Sequence, residues 1–392
     1  MNASRSAILA VCFAPLLALV ACGDDTSGSG GSGGGSGGSG TTATSDAAST
    51  SGAPISSTVT SSVASSTQGS GGDGSGGDGT GGSDFIPTAE TIQFGAIAPL
   101  PEGEQILFND WNAAPNTVAT MGPDGADATM IFEAYRVWSM GVSNDGHAVA
   151  FSSGDPEQEA HYGITIGDAI QHTFVYDAVT EVATALTWGN INDECHSFSA
   201  DDASLYICRR SDFRVEDDFI VSEGYDAGRV DLATGDFELL LPDDDDVMTL
   251  SPQPDADEET ALVTWIDLPS TRSIRSIDLA SGDVEVVRES AGNPTLSPDG
   301  ERYLFNDYGE SGSLWADDVA GGDAVLVADA QASGARWSPD GTRVVYMVFD
   351  DALSCSHVDT VAADGSEADA PTRIRDCGET GEFITDLAWI TR

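Results

Sequence analysis

A short turn sequence recurs along the second part of this chain and constrains the fold more than any other feature. Two full copies are LSPDG at Leu296–Gly300, before ERYLFND, and WSPDG at Trp337–Gly341, before TRVVYMV. Weaker copies are VSNDG at 142–146, FSADD at 198–202, LSP at 250–252 and LPEG at 100–103. Proline fixes φ at the second turn position and Asp or Gly accepts the strained positions, so each copy predicts a tight turn before a strand.

A second hairpin follows each of these turns. Its copies are MGPDGADATMI, YDAVTEVATAL, VDLATGDFELL, IDLASGDVEVV, DDVAGGDAVLV and VAADGSEADAP. Two hairpins make four strands, and six units in roughly 300 residues give about 50 residues each, which is typical of β-propeller blades. The sequence therefore predicts an all-β fold, a β-propeller of six four-stranded blades. The repeats alone leave a partial seventh blade open.

The Ser-Pro-Asp-Gly strand unit resembles the repeat of TolB-like β-propellers, also called WD-like repeats. The resemblance covers nearly all of Gln93 to Arg392. The closing segment ITDLAW at 384–389 is similar to the strand before Ser338, so we expect it to pair with the first blade and close the ring. TolB carries an α/β domain ahead of its propeller, whereas this position holds Gly/Ser-rich sequence here. The partners of TolB therefore do not carry over.

Four cysteines in the repeat region test the hairpin assignment. Cys195 and Cys208 are equidistant from the turn at 201–202, where a directly opposed, non-hydrogen-bonded pair could form a disulfide. Cys355 and Cys377 are symmetric about the middle of the second hairpin of the sixth blade. We therefore predict the disulfides Cys195–Cys208 and Cys355–Cys377, as expected of a chain in an oxidising compartment. A one-residue bulge would break the first symmetry.

Residues 1–22 read as an export signal. Arg5 precedes an apolar run, Ala7 to Ala21, which is too short for a stable membrane span. The run ends in LVAC at 19–22, which resembles the lipobox of bacterial lipoproteins. The resemblance implies that Cys22 is lipidated and becomes the new N-terminus, and an ordinary secretory signal is the alternative. The following residue, Gly23, is not Asp, which by the enteric sorting rule permits transfer to the outer membrane.

Residues 23–84 form a low-complexity segment between the signal and the repeats. Of the 45 glycines in the chain, 20 lie between Gly23 and Ser83. Such a composition cannot bury enough apolar surface to offset the entropy of ordering, so we predict a disordered linker, with the propeller at 85–392. A flexible chain of this length has an end-to-end distance of roughly 45 Å, enough to hold a domain clear of a bilayer.

The charge of the chain restricts its partners. There are 65 acidic residues against 15 basic ones, all of them arginine, and the formal net charge is −50. Such a surface repels phosphate backbones and anionic lipid, so nucleic-acid binding is excluded and membrane attachment is expected through the lipid anchor alone. High solubility, salt tolerance or a preference for cationic partners remain as interpretations.

The sequence contains few signs of catalysis. The Gly-x-Ser-x-Gly match at 34–38, like the one beside it at 30–34, lies in the low-complexity segment and precedes no helix of a βαβ unit. The five histidines lack metal-ligand spacing, although a propeller could still gather distant residues at its axis. The turn residues Asp145, Asp299 and Asp340 are expected to cap their own hairpins. The acidic runs around Ser251, at 243–246 and 255–259, fit solvated loops better than a calcium site.

The connections between the second and third strands of the blades all emerge on one side of a propeller. They are predicted to be long in the second blade (Gly154 to Ile170) and in the third (Ser211 to Ala227). The candidate binding face comprises Trp111, Tyr162, Phe213, Arg214, Phe219, Tyr225 and Tyr308, with Phe349 and His161 nearby. Exposed aromatics on one rim are typical anchors of recognition surfaces, and the alternative is that several of them pack their own loops.

Together these features predict a lipid-anchored, non-enzymatic protein of the bacterial cell envelope, held at the outer membrane and monomeric. Its loop side would bind an envelope protein or a polysaccharide, without a cofactor. The alternative is an envelope hydrolase or lyase with its site at the propeller axis. A cluster of His, Asp and Glu with shifted pKa values at that axis would favour the enzyme. Whether the domain faces the periplasm or the cell surface stays open.

Overall fold

The computed structural model describes thirteen stretches of the chain. They are residues 98–111, 116–154, 156–162, 170–189, 191–210, 214–216, 219–221, 224–242, 244, 246–268, 270–309, 312–377 and 383–392. The predictions made for the signal, for Cys22 and for the linker at 23–84 lie outside these residues, as do Phe213, Asp243 and Asp245. The side chains of Tyr162, Arg214 and Phe219 also lie outside the described part.

The described residues form six four-stranded antiparallel sheets, which are the six predicted blades. Blade 1 contains β1 (Glu104–Asp110), β2 (Asn116–Met121) and β3 (Thr129–Ala134), and blade 2 contains β4 (Met140–Val142), β5 (Ala148–Gly154), β6 (Gln171–Asp177) and β7 (Val182–Ala185). A helix, α1 (Pro156–Tyr162), lies between β5 and β6. Blade 3 contains β8 (Asn192–Phe198), β9 (Ser204–Arg210), β12 (Asp226–Asp231) and β13 (Phe237–Leu239), with the added hairpin β10 (Arg214–Glu216) and β11 (Phe219–Val221).

The remaining blades follow chain order. Blade 4 contains β14 (Val247–Pro254), β15 (Thr260–Asp267), β16 (Thr271–Asp278) and β17 (Val284–Glu289). Blade 5 contains β18 (Ala291–Leu296), β19 (Arg302–Asp307), β20 (Leu314–Asp318) and β21 (Val325–Ala328). Blade 6 contains β22 (Ala332–Trp337), β23 (Arg343–Asp350), β24 (Cys355–Ala362) and β25 (Thr372–Arg375), and the last strand is β26 (Leu387–Thr391).

Strand β26 closes the ring, as the sequence predicts. It pairs with β1, with Leu387 opposite Phe108, and so supplies the innermost strand of blade 1. Each innermost strand contacts that of the next blade, in the cycle β26, β4, β8, β14, β18, β22 and back to β26. The ring therefore closes at six blades, which removes the ambiguity about a seventh for the described residues.

Blade-on-blade packing explains the apolar runs in the middle strands. Both faces of such a strand lie against neighbouring blades, so β19 buries Tyr303, Leu304 and Phe305 in succession. Between blades 1 and 2, the rings of Phe132 and Phe151 pack with centroids 4.8 Å apart.

Among the described residues, no helix is long and apolar enough to cross a membrane. Helix α1 is seven residues long.

The repeated turns form as predicted, through one hydrogen-bond pattern. Ser297 Oγ donates to Asp299 Oδ1 at 2.6 Å, and the same hydroxyl accepts from the Arg302 amide at 2.9 Å. Ser338 and Asp340 repeat both contacts in blade 6. These hydrogen bonds hold the pKa of Asp299 below its ordinary value, the bond from Ser297 most strongly. The turn aspartates thus cap their own hairpins.

A bulge inside each of four consecutive innermost strands was not predicted. In each, two residues lie opposite one on the neighbouring strand, and the first of the two has a positive φ. These pairs are Cys195-His196, Ser251-Pro252, Asn293-Pro294 and Gly334-Ala335. Ser251-Pro252 therefore lies in a bulge inside β14, so the assignment of LSP at 250–252 to a turn is wrong. The turn of blade 4 is formed by Asp255, whose carboxylate accepts from the amides of Glu259 and Thr260.

Both predicted disulfides are present, but the argument for the first needs correction. The Cα atoms of Cys195 and Cys208 are 5.4 Å apart, and those of Cys355 and Cys377 are 5.8 Å apart. Because of the bulge, the residue opposite Cys208 is Glu194, and Cys195 has a φ of 63°. The bulge therefore shifts the register that the symmetry argument assumed, yet keeps Cys195 within bonding reach.

Candidate functional site

The two ends of the ring differ in their connections. The tight turns between first and second strands and between third and fourth strands lie at one end, which we call the turn face. The connections between second and third strands lie at the other end, the loop face. As predicted, these are long in blades 2 and 3, which insert α1 and the β10–β11 hairpin. They are short in blade 4, from Leu268 to Ser270, and in blade 5.

Two buried side chains hold α1 on the loop face. Gln158 Nε2 donates to the Gly189 carbonyl at 3.2 Å. Glu159 Oε2 accepts from the Tyr135 hydroxyl at 2.8 Å and lies 3.6 Å from Arg136 Nε. Burial, and then the hydrogen bond to Glu159, raises the pKa of Tyr135. The insertion of blade 2 is therefore fixed to the end of blade 1 by polar contacts.

Tyr225 is a buried anchor, so its prediction as an exposed binding residue is wrong. Only 2 % of its surface is exposed. Its hydroxyl donates to Glu194 Oε1 at 2.6 Å and accepts from Asn192 Nδ2 at 2.9 Å, and the Arg210 guanidinium lies 4.1 Å from the ring centroid. Tyr225 directly precedes β12, and its side chain is buried in blade 3. The contacts of Tyr225 fix the end of the blade 3 insertion.

Tyr308 is exposed on the loop face, as predicted. Its exposed fraction is 43 %, its hydroxyl accepts from Asn293 Nδ2 at 2.8 Å, and the Arg272 guanidinium lies 4.6 Å from its ring centroid. Desolvation of the hydroxyl end raises the pKa of Tyr308. The ring therefore has a fixed hydroxyl and an accessible surface, which is the arrangement of a preorganised contact residue.

Of the remaining aromatics predicted for the binding face, two pack against another aromatic ring, and the side chains of the others lie outside the described residues. Trp111 is half-buried and packs edge-on against Trp138, with centroids 5.2 Å apart. Phe349 packs in the same way against Phe383, at 5.7 Å. Both rings therefore pack against other segments of the chain, Trp111 on the connection after β3 and Phe349 on the residues before β26. The predicted roles of Tyr162, Phe213, Arg214 and Phe219 depend on side chains outside the described residues.

On the innermost strand of blade 3, a buried histidine joins blades 2 and 3. His196 Nδ1 lies 2.9 Å from Ser139 Oγ and its Nε2 lies 3.1 Å from Thr173 Oγ1. Desolvation lowers the pKa of His196 to about 4. Both ring nitrogens thus have neutral hydroxyl partners, and the imidazole links the blades.

A buried carboxylate near the axis joins three blades. Asp386 Oδ2 accepts from the Met140 amide at 2.7 Å, and Asp386 Oδ1 lies 2.9 Å from Arg336 Nη2. Burial raises the pKa of Asp386, and Arg336 opposes this effect. Sequence reasoning missed the roles of both residues, although Asp386 lies in the closing segment at 384–389, because the partners of Asp386 and His196 are distant in the chain.

The acidic runs around Ser251 do not meet. Asp244 and Asp246 precede β14, whereas Asp255 and Glu258 lie after its end, in the turn between β14 and β15 on the turn face. Glu258 Oε1 accepts from the Ala200 amide of blade 3 at 3.1 Å. Among the residues that the structure describes, no group of three or more His, Cys, Asp or Glu side chains is arranged to hold a metal ion.

Comparison with solved structures identifies the architecture. TolB from Acinetobacter baumannii superposes with a TM-score of 0.53 and 18% sequence identity, over 74% of this chain and 67% of that one. A putative TolB from Agrobacterium tumefaciens gives 0.51 and 14%, over 75% of this chain and 100% of that one. The fold is a TolB-like β-propeller. No protein-family model matches the chain, and no curated protein does. At these identities the likeness of the TolB-like propeller to its neighbours concerns the fold alone.

Proposed function

We propose that this TolB-like propeller is a lipid-anchored, non-enzymatic scaffold of the bacterial cell envelope. Its loop face binds a partner, an envelope protein or a polysaccharide, and the lipid on Cys22 holds it at the outer membrane through the linker at 23–84. The chain acts as a monomer and needs no cofactor. The export signal, the lipobox resemblance and the two disulfides support the location.

The observation that carries the binding role is the difference between the two faces. The turn face consists of repeated hairpins whose polar side chains bond within a turn, as Ser297 and Asp299 do, or to the turn of a neighbouring blade, as Glu258 does. The irregular insertions of blades 2 and 3 both emerge on the loop face, and the exposed ring of Tyr308 lies on the same face, in blade 5. Irregular additions on one face of a repeat array are usual binding sites.

The titratable groups near the axis support a scaffold rather than an active site. His196 is engaged at both ring nitrogens, and Asp386 binds Arg336 and the Met140 amide. Their shifted pKa values follow from burial between blades, and such shifts also occur in purely structural networks.

Capture from envelope extracts tests the proposal. The tagged full-length chain is incubated with detergent-solubilised envelope, and bound proteins and polysaccharides are quantified by mass spectrometry. Tyr308→Ala should reduce the amount of the captured partner several-fold. Val179→Ala is the matched control, because Val179 is 64 % exposed in a turn of blade 2 on the opposite face. Equal capture by both variants and wild type would contradict a loop-face site.

A further inference from the structure

Two of the repeated turns contain an acidic residue where the others contain glycine. The fourth turn position is Gly146, Gly300 and Gly341 in blades 2, 5 and 6, each with a φ of 72°. In blades 3 and 4 this position is Asp202, with a φ of 55°, and Glu258, with a φ of 52°. In all five turns its amide donates to the carbonyl of the first turn residue, at 2.8 to 3.1 Å. A residue with a Cβ is disfavoured in this conformation, so an interaction of the side chain is expected to offset the cost.

The carboxylate of Asp202 bonds to the turn of the preceding blade. Its Oδ1 accepts from the Asn144 amide and from Asn144 Nδ2, both at 2.9 Å, and its Oδ2 accepts from the Asp145 amide at 3.2 Å. In return, Asn144 Nδ2 donates to the Ser199 carbonyl of blade 3 at 2.8 Å. Hydrogen bonds in both directions therefore join the turns of blades 2 and 3, and those to the carboxylate are strengthened by its charge.

Glu258 makes the same kind of contact from blade 4 to blade 3. Its Oε1 accepts from the Ala200 amide at 3.1 Å, and its Oε2 accepts from the hydroxyl of the buried Tyr206 at 3.3 Å. Asn144 and Ala200 both occupy the second position of their turns, where blade 5 has Pro298. An acid at the fourth position thus bonds to an amide that proline lacks.

The next two pairs of turns have the same neighbours without this bond. A Cβ added to Gly300 would lie 3.9 Å from Cβ of Ala256, and a Cβ added to Gly341 would lie 3.8 Å from Cδ of Pro298. The fourth position of one turn therefore faces the second position of the preceding turn, from blade 2 to blade 6. Pro298 has no N–H to donate, whereas Ala256 has one but faces a glycine.

We propose that Asp202 and Glu258 are inter-blade clasps that hold blades 2, 3 and 4 together as one rigid unit at the turn face. Each carboxylate accepts amide donors of the preceding turn, and these bonds offset the cost of its positive φ. Blades 2 and 3 carry the insertions of the loop face, so the clasp of Asp202 fixes the relative position of the two blades that bear them. The clasps form whether or not the loop face binds a partner.

Hydrogen exchange of the full-length chain in detergent tests the clasp of Asp202. In Asp202→Gly, the amides of Asn144 and Asp145 should exchange at least about tenfold faster than in wild type, because they lose their acceptor. Glu181→Gly is the matched control, because Glu181 is an exposed acid with a φ of 58° in the other turn of blade 2. Unchanged exchange at 144 and 145 in Asp202→Gly would overturn the inference.

Melting temperatures of the same two variants separate the clasp from the backbone effect. Glycine adopts a positive φ readily, so Glu181→Gly should melt at or above wild type. Asp202→Gly relieves the same strain but loses the bonds to Asn144, and it should melt below wild type. Stabilisation by both substitutions would show that the carboxylate of Asp202 holds nothing.

A double variant measures the coupling across the two blades. Asn144→Pro and Asp202→Gly together rebuild the pair of Pro298 and Gly341 that joins blades 5 and 6. Each single variant removes the bond between the Asn144 amide and Asp202, so each should lower the melting temperature. The double variant should lower it by clearly less than the two single losses together. Strictly additive losses would argue against the clasp.

A newly built clasp tests the rule at a turn that lacks one. Gly300→Glu places an acid opposite the Ala256 amide, whereas Gly341→Glu places the same acid opposite Pro298. Both substitutions strain a φ of 72°, so Gly341→Glu should lower the melting temperature by a few degrees and Gly300→Glu by clearly less. High salt screens the added charge in both variants. Equal losses would overturn the inference, and this pair decides the matter even if Asp202→Gly does not fold.

Discussion

Arg336 Nη2 and Asp386 Oδ1 form an ion pair of 2.9 Å that links blade 6 to the closing segment of blade 1. Asp386 also accepts the amide of Met140, the first residue of β4 in blade 2. One buried carboxylate therefore connects three blades at the point where the ring closes. The last strand and this carboxylate stabilise the ring together.

Removal of this carboxylate should destabilise the whole domain. Asp386→Ala leaves Arg336 and the Met140 amide without their acceptor, and breaking a buried pair typically costs about 3 kcal/mol of unfolding free energy. Asp323→Ala, at an exposed position in a turn of blade 5, should change it by less than about 0.5 kcal/mol. Urea unfolding of both variants and wild type measures the difference. Equal midpoints for Asp386→Ala and wild type would show that β26 closes the ring without it.

The buried imidazole of His196 should make stability depend on pH. Its pKa is lowered from 6.5 to about 4, so the unfolded chain takes up the proton first as the pH falls. The contribution of His196 to stability is therefore fully present above about pH 6.5 and is lost toward pH 4, by about 3 kcal/mol in total. The pKa values of the turn aspartates Asp299 and Asp340 are also lowered, so their contribution to stability is lost below about pH 4.

The variant His196→Gln isolates this effect. Glutamine does not titrate, so the slope of unfolding free energy between pH 6.5 and 4 should become flatter than in wild type. His147→Gln is the control, because His147 is exposed in a turn. The measurement is urea unfolding at half-unit pH steps. Parallel slopes for His196→Gln and wild type would mean that His196 does not stay neutral in the fold.

The repeats predict the blades because their signals are local. Ser297, Asp299 and Gly300 interact within six residues, so the turn and its capping can be read from the sequence. The burial of Tyr225 depends on its contact with Glu194, which is 31 positions away in the chain, so the prediction of an exposed Tyr225 was wrong. The bulge at Cys195 recurs at Ser251, Asn293 and Gly334, but these four residues share no residue type. The sequence therefore does not show the bulge, and the register predicted for Cys195 was wrong.

Lipidation at Cys22 stays a prediction from the sequence. Cys22→Ala should abolish incorporation of labelled fatty acid and move the exported protein from the membrane to the soluble fraction, because the lipid is the expected membrane attachment. Cys12→Ala is the matched control, since Cys12 lies within the predicted signal. Retention of exported Cys22→Ala in the membrane would contradict the anchor.

The positive φ of the turn residue Gly300 should make this glycine important for stability. Gly300 has a φ of 72°, and a Cβ there would meet nothing closer than 3.9 Å, so conformational strain is the main effect of a substitution. Gly300→Val should cost about 1–2 kcal/mol, and Gly300→Asn less, since Asn adopts this conformation more readily. Thermal unfolding compares the two. Equal melting temperatures for both variants would argue against strain as the cause.

Tyr225 and Tyr308 should respond oppositely to substitution, although both were predicted as binding residues. Tyr225→Phe removes the hydroxyl that Glu194 and Asn192 share, which should lower the unfolding free energy by about 1–3 kcal/mol. Tyr308→Ala removes a side chain that is 43 % exposed, so stability should change by less than about 1 kcal/mol while partner capture falls. Urea unfolding and envelope capture are measured on both variants. If Tyr308→Ala unfolds as early as Tyr225→Phe, Tyr308 stabilises its loop and the contact role assigned to its exposed ring is wrong.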